Sequence, residues 1–152
     1  MTDTSARPEA EAISTVREII RRSGHEIRNA LNAVAVNVEV VRSRSGREGP
    51  AAGTVDAFAH RAADGAVMAN DLTNGTLAII DAVLAAAAAG TLRSKPGYGN
   101  ASEIEVMIYG DRAQIFMSDT RRLAAEIGVT IEQKEQAVIL RVLPEDRSHS
   151  ET

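Results

Sequence analysis

The sequence predicts an α+β protein: a long antiparallel helical hairpin that forms a four-helix bundle on homodimerisation, followed by a small βαββ unit. Three observations carry that prediction. Apolar and small residues recur in two interleaved seven-residue rows along each of two long segments. A break bearing Gly and Pro separates those segments. Beyond residue 102 the apolar period changes from helical to alternating.

Residues 1–7 are polar and read as a disordered lead. From Pro8, a residue suited to a helix's first turn, the first helix runs to about Arg44. Ile13, Ile20, Ile27, Val34 and Val41 form one of its rows, and Gly24, Leu31 and Val38 the other. Such a pair of rows is a heptad seam, which a single helix cannot bury alone. SRSGREGPAAGT (43–54) reads as the inter-helix loop. The second helix then runs from about Val55 to Ala89, with Phe58, Gly65, Leu72, Ile79 and Ala86 in one row. Ala62, Ala69, Thr76 and Val83 make its other row, and AAAAAG ends it at a glycine cap. Two hairpins pairing about a two-fold axis would bury both seams, so a homodimer is expected of residues 8–90.

Residues 91–101 (TLRSKPGYGNA) read as a linker because Gly and Pro interrupt any pattern. The βαββ unit follows over residues 102–144. EIEVMIY alternates like a strand, Asp111 is the expected N-cap of a helix, and Ile115, Phe116, Leu123 and Ile127 are its expected inner side. VTIEQ and AVILRVL read as a hairpin turning at Lys134 and Glu135. A unit of roughly 45 residues is marginal alone and is expected to lean on the helices or on a second copy. Residues 145–152 are a loose polar tail.

Composition narrows the function. A net charge of -4 and a pI near 5.4 argue against general nucleic-acid binding. The absence of cysteine excludes disulfides and thiolate chemistry. His25, His60 and His149 lack metal-ligand spacing, so no metal site is expected. The N-terminus lacks the pattern of a signal peptide, and the apolar run AIIDAVLAAAAAG is interrupted by Asp81. A cytoplasmic protein without membrane contact is the expectation.

Within SGHEIRNALNAVAV, His25, Glu26 and Asn29 are neighbours on one helix, at spacings of three and four. The plain reading is a solvated face. The chemical reading is phosphoryl transfer. A neutral imidazole is a nucleophile towards phosphorus. A neighbouring carboxylate can manage its proton, and an amide one turn on can hold a water in line with a phosphoryl group.

HEIRNALNAV resembles the H-box of sensor histidine kinases, in their dimerisation and histidine phosphotransfer domain. The likeness spans residues from about 10 to 90 and implies a homodimeric four-helix bundle. It implies that His25 accepts phosphate, that Glu26 is its acid/base partner, and that Asn29 orients a hydrolytic water. Ala30 stands where family members commonly carry Pro, which should leave the helix unkinked. IYGDRAQIFMSDTRRLAAEIGVTIEQKEQAVILRV resembles the opening of the family's ATPase domain only in outline. Its helix has no asparagine, and the Asp-x-Gly and glycine-rich boxes are missing. ATP is therefore not expected as a cofactor, and Mg2+ would be supplied by a response-regulator partner. The whole is similar to sporulation-type phosphorelay histidine phosphotransferases.

That resemblance implies a homodimer that exchanges phosphate with response-regulator receiver domains, which would dock on Arg21, Arg22, Arg28 and Asn32 around His25. Three alternatives stand beside it: a response-regulator phosphatase using Glu26 and Asn29, a non-catalytic dimeric scaffold, and a fragment of a sensor kinase.

Overall fold

The computed structural model describes residues 6–45, 52–96, 101–135 and 137–142. The first five residues, the tip of the inter-helix loop, part of the expected linker and the polar tail with His149 lie outside them. Two long helices, α1 (Ala6–Arg44) and α2 (Ala52–Ala88), come first. Strand β1 (Arg93–Pro96), strand β2 (Ser102–Met107), helix α3 (Asp111–Ile127) and strands β3 (Val129–Lys134) and β4 (Ala137–Val142) follow. The strands form one antiparallel sheet in the order β1-β2-β4-β3.

The helices arise as the heptads predict, but they bury a different line on α1. Ala12, Thr15, Ile19, Ser23 and Ala30 are its buried residues, whereas Ile13, Ile20, Leu31 and Val38 face solvent. Thr15 and Ser23 survive on that inner line because each hydroxyl donates to a carbonyl four residues back, that of Glu11 and of Ile19. On α2 both expected rows turn inward: Leu72, Ile79 and Ala86 from one, Ala62, Ala69 and Val83 from the other. The helix is uninterrupted across Ala30, as the missing proline implies. Helix α2 closes at Gly90, whose φ of 68° is the left-handed conformation of a helix cap.

Residues 91–101 are more than a linker. RSKP pairs with β2 from Arg93 opposite Glu105 to Pro96 opposite Ser102, giving the sheet a fourth strand. Four residues ending in Pro carry no alternation, and Pro is tolerated there because the strand is an edge. Two expectations for α3 also change. Gly110 (φ 64°) occupies the N-cap and Asp111 is the first helical residue. Ile115 faces solvent, because the inner line Ala113, Phe116, Thr120, Leu123, Ile127 advances by threes and fours and leaves its neighbour about 100° away.

One core joins the helical hairpin to the sheet. Ile19 of α1 and Leu72, Ile79 and Val83 of α2 pack with Phe116, Leu123 and Ile127 of α3 and with Ile104, Val106, Leu140 and Val142 of the sheet. Gly75 permits the close approach: a Cβ there would stand 2.9 Å from the Asp119 carbonyl oxygen and 2.9 Å from the Leu123 Cβ. The small unit thus leans on the hairpin, which relieves its shortage of core.

By length and composition the stretch Thr54–Ala88 is apolar enough to cross a membrane, contrary to the reading of the apolar run around Asp81. The same stretch carries Asp64, Asp71 and Asp81 and packs Leu72, Ile79 and Val83 into the shared core.

Candidate functional site

Three faces share α1 at about 100° per residue. The first is the buried line through Ile19, Ser23 and Ala30. The second is the exposed apolar stripe Ile13, Ile20, Leu31, Val38. The third carries His25, Asn29 and Asn32, with His25 about 120–160° from the buried line and about 120–140° from the apolar stripe. His25 therefore escapes both packing surfaces, and its side chain is 63% exposed.

Glu26 reaches the site from the half-buried flank. Its Oε1 stands 4.0 Å from His25 Nε2, an ion-pair separation longer than a hydrogen bond. Its Oε2 accepts a long hydrogen bond from Asn29 Nδ2 at 3.4 Å. The carboxylate thus lies between imidazole and amide, and the three predicted site residues are brought together.

The arginines divide. Arg21 is exposed and grips Glu18 with two bonds, Nε to Oε2 at 2.9 Å and Nη2 to Oε1 at 2.8 Å. Arg22 turns inward instead. Its Nε donates to Glu18 Oε1 at 2.7 Å and its Nη1 to the Ile127 carbonyl at 3.2 Å, where α3 ends. A guanidinium there meets the negative end of the α3 dipole. Arg22, expected on the partner surface, thus has a structural role. Arg28 and Asn32 are exposed beside His25 as expected. The bonds from Arg21 and Arg22 outweigh the partial burial of Glu18 and hold its carboxyl at about 2, well below the usual carboxylate value.

One residue of this face was missed. Val36 is 64% exposed and continues the series His25, Asn29, Asn32, Val36. Its spacing of four from Asn32 is the signal that could have found it.

The chain matches no protein-family model, no curated protein and no solved structure. This face presents a solvent-open imidazole, a carboxylate 4.0 Å from it and an amide that donates to that carboxylate at 3.4 Å.

Proposed function

We propose that this chain is a histidine phosphotransfer protein, which carries a phosphoryl group on His25 between the aspartates of response-regulator receiver domains. The observation that carries the reading is the open imidazole with Glu26 4.0 Å away. A ring nitrogen forms the P–N bond with its lone pair as the acyl-phosphate P–O bond breaks. The donor aspartate leaves as a carboxylate. The proton on the opposite ring nitrogen stays there, and the negative charge of Glu26 4.0 Å away stabilises the charged ring as the bond forms. The reverse steps deliver the group to the second aspartate. Val36, Asn32 and Arg28 supply the contact surface for the receiver. Arg21 adds a positive field, which speeds the encounter with an acidic partner.

In the same reading the chain works as a homodimer. Ile13, Ile20, Leu31 and Val38 on α1, with Val67, Leu77 and Leu84 on α2, are exposed apolar residues. A second hairpin laid on this stripe makes the four-helix bundle that the heptads imply. Because His25 is about 120–140° from the α1 stripe, pairing leaves it open.

The test is to incubate the protein with ATP alone, and then with a phosphorylated receiver domain. Acid-labile, base-stable phosphate on His25 is expected only in the second case, and none on His25→Ala. A wild-type protein that phosphorylated receivers never label would sink the proposal.

The bond between Asn29 and Glu26 favours a second reading, hydrolysis of the receiver's aspartyl phosphate with a water held by Asn29. Asn29→Ala should then abolish release of inorganic phosphate while leaving labelling of His25 largely intact. If both activities survive that change, hydrolysis does not run through this amide.

A further inference from the structure

At the far end of α3 from Arg22 lies a cleft of about 720 Å³, within the range of small-molecule sites. Ala82, Ala85 and Ala86 of α2 and Ala89 just beyond its end form one wall. Ile108 and Phe116 face it from the end of β2 and from α3. Higher on α2, the inward positions hold Leu72, Ile79 and Val83, and the core closes. The alanines therefore do more than favour a helix: they are too short to fill the space beside Phe116 and leave an apolar-walled groove.

Two charges flank this groove, Asp81 from α2 and Arg112 from α3. Neither has an ion-pair or hydrogen-bond partner among the described residues. Arg112 stands in the first turn of α3, where the helix dipole disfavours a cation, so helix stability does not account for it. The rim thus offers a carboxylate the Arg112 guanidinium. Asp81 offers the complementary seat for an ammonium group.

We propose that this cleft binds a small apolar zwitterion, of the class of hydrophobic amino acids and their short peptides. The carboxylate meets Arg112, the ammonium meets Asp81, and the apolar body lies along the alanine wall. An anionic amphiphile would be repelled by Asp81, and a cationic one by Arg112. The site lies apart from the His25 face and does not depend on the chemistry proposed there.

The experiment is a titration of the full chain, followed by methyl NMR and calorimetry, with L-leucine, L-leucyl-L-leucine, isocaproate and isoamylamine. L-leucine or its dipeptide should shift the Ala85, Ala89 and Ile108 methyl signals saturably, with a dissociation constant of about 0.01–1 mM. Isocaproate lacks the ammonium and isoamylamine the carboxylate, so each should bind at least about 10-fold more weakly. Arg112→Gln and Asp81→Asn should each weaken L-leucine about 10-fold, and Asp81→Asn should narrow the gap to isocaproate. Ala85→Leu fills the groove from an exposed position and should abolish binding without changing the thermal midpoint. No saturable shift with either zwitterion would overturn the proposal. So would isocaproate binding as tightly as leucine, or affinity indifferent to both charge substitutions.

Discussion

The two halves of the hairpin are held in different ways. In the lower half, α1 up to Ile27 and α2 from Met68 onward pack with α3 and the sheet, and Ile19, Leu72 and Ile79 are almost wholly enclosed. In the upper half α1 meets α2 through small residues, and Ala30 and Ala62 are what it buries. There a Cβ on Gly65 would stand 2.9 Å from Val34 Cγ2, so the helices approach closely but enclose little volume. The lower half has a core of its own. Exposed apolar residues run along both halves, Leu31, Val38 and Val67 above and Ile13, Ile20, Leu77 and Leu84 below, so the halves differ in what they enclose and not in what they expose. His25 stands where the two regimes meet.

Substitutions can break this contrast. On the proposed dimer, Leu31→Glu with Val38→Glu should convert a dimeric species wholly to monomer in analytical ultracentrifugation, with the lower core unaltered by near-native sheet signals. Leu123→Ala empties a position that α2, α3 and the sheet share. It should cost about 2–5 kcal/mol in chemical denaturation and lower the hairpin and sheet together in one transition. Gly75→Ala should cost about 1–3 kcal/mol, because backbone as well as a side chain blocks the new methyl group. Gly65→Ala meets only the end of a flexible side chain and should cost under about 1 kcal/mol. Equal costs at the two glycines would erase the distinction between the halves.

The smallest expected effect is electrostatic. Glu18 is held at about 2 by Arg21 and Arg22, below its unfolded value, so its contribution is present above that unfolded value. It is lost as the pH falls from the ordinary carboxylate range through about 2. With one third of the side chain exposed, about 1–2 kcal/mol survives solvent screening. Glu18→Gln should lower stability at neutral pH by that amount and flatten the acid limb of a pH–stability curve.

Much of this organisation was legible because it is periodic. Both rows of α2 turn inward because partners surround that helix: α1 on one side, α3 and the sheet on the other. The second row of α1 was legible as a seam but not as an exposed one, since periodicity marks apolar residues without naming what covers them. Ile115 misled for a related reason: it is apolar beside Phe116 but a full residue's rotation off the inner line. β1 was illegible because RSKP joins the sheet by main-chain pairing, to which composition is blind. At the site, His25, Glu26 and Asn29 were local and therefore readable. The fate of Arg22 was not, because its acceptor on Ile127 lies 105 residues away.

That long-range bond has a mechanical counterpart. Arg22 ties α1 to the end of α3, and Arg122 of α3 reaches Asp71 of α2 at 2.7 Å. A single short helix thus cross-ties both long ones at the same height. Below the tie the two rods are embedded; above it they pack on one another, closely at Gly65 and Val34, and the chain joins them at the tip. The tie thus sets how much of the hairpin depends on contact between its own two arms, and it stands one turn from the imidazole of His25.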